Sequence, residues 1–447
     1  MSSDRNTFTL DEVFDFRSGL SKPRSAFGTG YPFLTFKDVF YNFFVPKELG
    51  DLVQSSDAER VNGDIRRGDV FLTRTSETQH ELGMSCVALS DVPNATFNGF
   101  TKRLRPKPHA RIVPEYVGYF FRSSAFRDRV TAISTLSTRA SLNEDMLGHL
   151  EIVLPERDVQ ISVGAILKSL DDKIDLLREM NRTLDDIARA VFRAWFVDFE
   201  PVHAKAAGAK SFRGMPQWLF DILPKTLERS ESLEIPSGWR VDRLENLVST
   251  PITRGLAPKY IASGGVLVLN QKCVRDWNVS FNLARRHDHV AKPAKGKVIE
   301  RLDILVNSTG VGTLGRVAQV CSVGEVTTFD SHLSLVRPDS TKIEPLYLGY
   351  DLTERQHEIE RLGHGSTGQT ELSRQKLGEL RVTVPQADAQ VTFGNLISPL
   401  VERKEQNRQE SETLLAIRDA LLPKLISGEL VAPSLKALGI EAVGDGE

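Results

Sequence analysis

The sequence predicts an α+β protein, with two similar mixed α/β domains separated by two long antiparallel helices arranged as an intramolecular coiled coil. Three observations predict it. First, Leu147, Gly148, Leu150, Pro155, Gln160, Leu170, Thr183, Leu184, Ile187 and Ala190 recur without a gap as Leu377, Gly378, Leu380, Pro385, Gln390, Leu400, Thr413, Leu414, Ile417 and Ala420. Second, the sequence ahead of each stretch mixes short strand-like runs with turn signals. Third, a run of about 40 residues follows each, free of strong helix breakers in the first copy and striped with apolar residues at 3,4 spacing. A repeat this long is too large for a solenoid unit, so each copy is a domain with a connecting helix.

Residues 1–157 form the first domain. Runs such as YPFLTF, DVFLT, SCVAL and LEIVLP read as strands, and EYVGYFFRSSAFRDRV reads as a helix. Residues 158–200 follow as a long helix whose stripe is Ile166, Leu170, Ile174, Leu177, Asn181, Leu184, Ala188, Val191 and Trp195. At 1.5 Å per residue it would span ~60 Å, long enough to act as a strut. Pro201 closes it, and residues 201–235 read as a linker with a short helix around QWLFDIL. The pattern restarts at PSGWRVDRLENLV for a second domain, 236–386, and a second long helix, 387–428, which Gly428 stops. Residues 429–447 form a tail.

Each helix could pack on its own domain, or the two could pack on each other. Heptad-like spacing and a polar Asn181 in the seam favour the coiled coil, with Asn181 limiting register slippage. The second helix is less regular: Lys404, Asn407, Ser411 and Arg418 fall where the first has Ile174, Leu177, Asn181 and Ala188, so part of that seam is expected to be wet.

The repeat extends into the domains once small loop differences are allowed. Leu10 and Asp69 match Leu244 and Asp303; Gly83, Phe97, Arg105 and Pro106 match Gly315, Phe329, Arg337 and Pro338; Pro114, Tyr116, Gly118 and Tyr119 match Pro345, Tyr347, Gly349 and Tyr350. Residues 20–65 and 256–300 diverge freely. One scaffold with two sets of loops suits a protein that reads two different targets.

Composition excludes several classes. Ordinary apolar and charged fractions over 447 residues indicate a globular protein. The start has no basic region followed by an apolar run, and no stretch reaches ~18 uninterrupted apolar residues, so the cytoplasm is the expected compartment, without a membrane partner. Cys86, Cys273 and Cys321 are scattered in strand-like surroundings and read as buried reduced thiols.

A net charge of −2 conceals a strong segregation of charge. Between Gly99 and Arg139 stand nine basic residues against Glu115 and Asp128, and Arg254–Arg301 repeats the bias. The first long helix carries acids, among them Asp171, Asp172, Asp175, Glu179, Asp185 and Asp186. Basic domains joined by acidic helices suit contact with phosphates at two separated places.

Catalytic constellations are weak. Gly310, Gly312 and Gly315 match G-x-G-x-x-G, but RVAQVCSVG after them reads as a strand where a dinucleotide fingerprint needs a helix. His287 and His289 lack a third ligand and have basic neighbours, so a solvated or phosphate-facing loop is expected rather than a metal site. No P-loop, H-E-x-x-H, G-x-S-x-G or Asn-Pro-Pro-aromatic motif is present, so a partner would have to supply any chemistry on DNA.

Several segments carry a family resemblance. LDDKIDLLREMNRTLDDIARAVFRAWFVDFEPV and MPQWLFDILPKTLERSESLEIPSGWRV resemble the central conserved region of Type I restriction-modification specificity (HsdS) subunits. STLSTRASLNEDMLGHLEIVLPERDVQ, GHGSTGQTELSRQKLGELRVTVPQADAQ and ESETLLAIRDALLPKLISGEL are similar to other conserved segments of the same family. The resemblance implies a non-catalytic subunit with two target recognition domains, each reading one half of a split, asymmetric double-stranded DNA sequence. It implies two methyltransferase (modification) subunits docked on the helices and restriction/translocase subunits joining them. S-adenosylmethionine, ATP and magnesium would then belong to those partners, with none in this chain.

On that reading, loops would enter the major groove while cations hold phosphates. The expected DNA contacts are Lys22, Arg24, Arg74, Lys102, Arg103 and Arg105 in the first domain, and Arg254, Lys259, Lys272, Arg275, Arg285 and Arg286 in the second. The expected helix and subunit interface is Ile174, Leu177, Asn181, Leu184, Val191, Trp195, Leu414, Ile417 and Leu421. Helix length would set the gap between half-sites, one added turn being ~5.4 Å. The competing reading is a non-enzymatic scaffold whose domains bind proteins; DNA binding driven by phosphates would instead weaken steeply with salt.

Overall fold

The structure, a computed structural model, describes residues 6–76, 81–134, 140–230, 233–363, 371–433 and 437. The STLSTR stretch of the first domain, GHGSTGQ of the second and most of the tail fall largely outside them. Two compact units emerge: Met1–Leu176 with Glu410–Glu447, and Leu177–Gln409. The division falls inside both long helices rather than at their ends.

The first unit is built on a four-stranded sheet in the order Phe14–Ser18, Thr101–Pro106, Val70–Thr73, Ser85–Val87, antiparallel throughout. A three-stranded sheet accompanies it, with Phe27–Leu34 between Leu52–Val53 and Thr96–Phe97, the last pairing being parallel. Asn6–Thr9 pairs with Glu151–Leu154 and ties the start of the domain to its end. The second unit has the same plan. Thr253–Arg254, Leu333–Val336, Ile304–Asn307 and Val317–Gln319 form one sheet. Tyr260–Ile261, Arg285–His287, Val266–Leu269 and Thr327–Phe329 form the other, again with one parallel pairing. Arg240–Arg243 pairs with Arg381–Val384 as the closing ribbon. Val317–Gln319, after the glycines of LVNSTGVGTLG, is a strand, in keeping with the β-branched character of the run RVAQVCSVG.

The repeated residues hold this common frame through identical bonds. Asp69 is fully buried and takes both oxygens to Arg105, at 2.8 and 2.7 Å. Asp303 does the same with Arg337 at 2.8 and 2.7 Å, and each aspartate also accepts a backbone N–H from three residues upstream, Arg66 or Glu300. Gln160 accepts from Val113 N–H and donates to Pro155, at 3.0 and 2.8 Å; Gln390 accepts from Glu344 N–H and donates to Pro385, at 3.0 and 2.7 Å. The Tyr116 and Tyr347 hydroxyls donate to the carbonyls of Val153 and Thr383. Each bond satisfies a buried polar group that would otherwise cost on the order of 1–3 kcal/mol.

The long helices are Arg157–Phe196 and Ala387–Ser427. Gly428, at φ +70°, ends the second, its N–H bonded to Leu425. Within each unit their segments run antiparallel. In the second unit Asn181 faces Asn407, whose side-chain amide donates to the Asn181 carbonyl oxygen at 2.9 Å, and Asp185 faces Lys404. In the first unit Asp171 receives Arg418 and the Tyr119 hydroxyl, each at 2.7 Å. The seam expected to be wet at Lys404, Asn407 and Arg418 is therefore closed by partners from the first helix.

The span 201–235 is more ordered than a linker. Helices Glu200–Ala206 and Gln217–Ile222 fold back so that Lys205 donates to the carbonyls of Phe220, Asp221 and Leu223, and Leu227–Ser230 pairs with Leu233–Pro236. Burial of Leu219, Phe220 and Leu223 drives this.

Candidate nucleic-acid interface

The fold divides the expected contact residues into cations it consumes and cations it presents. In the first unit Lys102 and Arg103 are only 7 and 5 % exposed, engaged by Glu144 and Asp64 at 2.8 and 2.9 Å. Burial lowers the affinity of Arg103 for its proton. Burial also works against ionisation of Asp64, yet the Arg105 and Arg66 guanidiniums hold its carboxyl below the ordinary value. Arg105 is the partner of Asp69, and that hydrogen bond raises its pKa. These three cations are structural, a correction to the sequence expectation: a charge already buried against a carboxylate cannot meet a phosphate without leaving that carboxylate unpaired. Arg74 is half-buried and donates to the Gly99 carbonyl at 3.1 Å. Lys22 pairs with Glu59 at 2.7 Å and brings that carboxyl down to about 2. Arg24 lies exposed on the turn that leads into Phe27–Leu34.

In the second unit Arg254 is held by Glu371 and the Leu372 carbonyl. Lys259 pairs with Asp288 at 3.2 Å and Arg286 with Glu325 at 2.6 Å. Arg275 is exposed beside Asp276. Lys272 and Arg285 are exposed and, among the described residues, carry no ion pair. His287, expected in a solvated or phosphate-facing loop, is fully buried: Nδ1 accepts from Lys259 N–H at 3.0 Å and Nε2 donates to the Lys292 carbonyl at 2.9 Å. Both ring nitrogens are used, so this imidazole pins its strand.

Sequence comparison missed a shared feature of the divergent loops. Gly30 and Gly265 occupy equivalent places, each with positive φ (+109° and +63°). A Cβ on either would strike the carbonyl of the facing strand, at Val53 or His287, so glycine is required for the close approach. Beside each lies an exposed tyrosine under a guanidinium: Arg60 over Tyr31 at 3.6 Å, and Arg285 over Tyr260 at 3.4 Å. The signal was present as FGTGYP and YIASGG, glycines set close to a tyrosine, but loop-length differences removed them from register.

Of the expected interface residues, Ile174 and Leu177 are buried, and Leu184 and Leu414 half-buried. Val191 and Trp195 pack in the core of the second unit, and Leu421 against that of the first. Asn181 pairs with Asn407, whereas Ile417 faces outward. Cys86 and Cys273 are buried, and burial raises the Cys273 thiol to about 11. Cys321 is partly buried against the core of the second unit, and burial raises its thiol as well. No group of three metal-ligating side chains occurs among the described residues, and no described helix is long and apolar enough to cross a membrane.

Comparison with known proteins agrees with this frame. A family model described as the Type I restriction modification DNA specificity domain matches residues 2–185. The chain is 24% identical to the Type I restriction enzyme HindI specificity subunit of Haemophilus influenzae, over 89% of this chain and 94% of that one. It is 25% identical to the MjaIX specificity subunit of Methanocaldococcus jannaschii, over 94 and 91%. The crystal structure of the Type-I restriction-modification system S subunit from M. genitalium superposes with a TM-score of 0.58 at 15% identity, covering 95% of this chain and 96% of that one. That likeness speaks to the fold alone.

Proposed function

We infer, from its likeness over most of its length to Type I restriction enzyme specificity subunits and from the match of residues 2–185 to the DNA specificity domain, that this chain is the sequence-reading subunit of such a complex. Each unit reads one half of a split, asymmetric double-stranded DNA target. The observation that carries this is the duplicated frame with unlike loops: the same Asp–Arg, Gln–Pro and Tyr–carbonyl bonds in both units, and different residues between them. Identical scaffolds with identical loops would read a palindrome; these read two different half-sites.

The helices dock the modification subunits. Thr183, Ile187 and Ala190 are exposed, and so are their repeats Thr413, Ile417 and Ala420. Spacing of i, i+4, i+7 puts each trio on one helix face. Core packing does not account for exposed residues that recur identically, whereas two copies of one partner do. Native mass spectrometry of the complex tests this: wild type carries two modification subunits, Ile187→Asp or Ile417→Asp carries one, and the double variant none. Two copies retained by both single variants would contradict it.

The chain contributes no chemistry of its own. Methyl transfer from S-adenosylmethionine, and translocation and cleavage with ATP and magnesium, belong to the modification and restriction/translocase partners, and the complex works in the cytoplasm. Salt separates this reading from a protein-binding scaffold. With 6–10 phosphates neutralised, affinity for DNA falls by roughly 10³–10⁵ between 50 and 200 mM salt; a flat response favours the scaffold.

A further inference from the structure

The second unit differs from the first in one exposed detail. In both, a guanidinium lies on a tyrosine beside the glycine-led approach of two strands. Arg60 is closed: its side chain donates to the Ser55 carbonyl and to Asp57. Arg285 is open. Its neighbours Lys259 and Arg286 are taken by Asp288 and Glu325, while Arg285 itself is exposed with no ion pair among the described residues.

The platform beneath it is rigid. Arg285–His287 is hydrogen-bonded on both sides, to Tyr260–Ile261 and to Val266–Leu269. His287 anchors the same strand through both ring nitrogens. Tyr260 pairs with His287 across the ladder, which places Arg285 on the diagonal, and its guanidinium carbon sits 3.4 Å from the ring centroid. Stacking fixes the plane of a side chain that would otherwise lose considerable rotamer freedom on binding.

A planar fork of N–H donors, stacked on a ring at an exposed position, matches two acceptors side by side in a plane. In the major groove that pattern is guanine O6 and N7. Resting on the specificity reading above, we propose that Arg285, oriented by Tyr260, is the guanine-reading residue of the second unit. Arg285 would touch the base; Tyr260 is a positioning residue.

The test is the methylated motif produced by the complete complex of this chain with its modification subunits, for wild type, Arg285→Ala, Arg285→Lys and Tyr260→Ala. Wild type is expected to require a guanine in one half-site. Arg285→Ala relaxes that one position, lowering discrimination against other bases by roughly 5- to 150-fold, and leaves the other half-site unchanged. Arg285→Lys keeps the charge but not the fork, so it relaxes the same position while total methylation is retained. Tyr260→Ala relaxes it too, whereas Tyr260→Phe keeps the stack and the specificity. A half-site without guanine, full specificity in Arg285→Lys, or a uniform loss across all sequences in Arg285→Ala overturns the assignment. A wild-type complex that methylates no split motif overturns the specificity reading itself, and Arg285's role with it.

Discussion

At the scale of single residues, Arg105 and Arg337 show how charge in a sequence can mislead. Arg105 stands in the most basic stretch of the first domain, yet its Nη2 lies 2.7 Å from a fully buried Asp69, and Arg337 repeats that contact with Asp303. Removing either arginine leaves an aspartate buried and unpaired, so Arg105→Ala and Arg337→Ala are each expected to cost about 3–5 kcal/mol, measured by urea denaturation. A pure phosphate contact would change stability by under ~0.5 kcal/mol. Asp64 gives a pH-dependent counterpart. Its folded-state carboxyl is held below the ordinary value, so it contributes stability above that value and loses it as pH falls through the depressed one. Thermal unfolding of wild type and Asp64→Asn should therefore differ at pH 7 and converge progressively below about pH 4. The aspartate partners of Arg105 and Arg337 lie 36 and 34 residues away along the chain, a separation that no local pattern encodes. The sequence showed where positive charge accumulates; which of it is neutralised depends on contacts made only after folding.

At the scale of elements, the long helices were legible because apolar spacing and terminal signals agree: Pro155 and Pro385 precede them, and Pro201 and Gly428 follow. Their mutual packing was legible only in part. Asn181 falls in the stripe, but Asn407 reads from sequence as part of a wet seam; in the fold its amide donates to Asn181, and the Asn181 amide donates in turn to the Lys404 carbonyl. Asn407→Leu should cost about 1–3 kcal/mol by stranding Asn181. Converting both to leucine should recover that loss while relaxing the register, detected as altered cysteine cross-linking between neighbouring turns. The hairpin of Val274–Arg275 and Asn278–Val279 obeys a similar balance. Asp276 and Trp277 both have positive φ, which costs a side-chain-bearing residue about 1–2 kcal/mol each. Trp277 is kept there by Arg189 of the first long helix, 3.3 Å from its ring. Trp277→Gly relieves the backbone and removes the clamp, so amide exchange across 274–279 should accelerate.

At the scale of the whole molecule, the internal repeat was the most legible feature, because it records the bonds that hold the frame. Its gaps were illegible for the complementary reason. Gly30 and Gly265 do the same work, but loops of unequal length moved them to a different offset from that of Phe97 and Phe329. Both units share the two long helices, so inserting four residues near Asp186 is expected to alter the gap in the recognised sequence while both half-sites stay the same. Identical gaps in the methylated motifs of wild type and insertion variant would contradict that. One frame, duplicated and given unlike loops, is expected to read two unlike half-sites. The sharpest check is methylome sequencing of a host expressing this chain with modification subunits. One methylated motif made of two different short sequences separated by a fixed run of unspecified bases is expected; a continuous motif, or two identical halves, would overturn this reading.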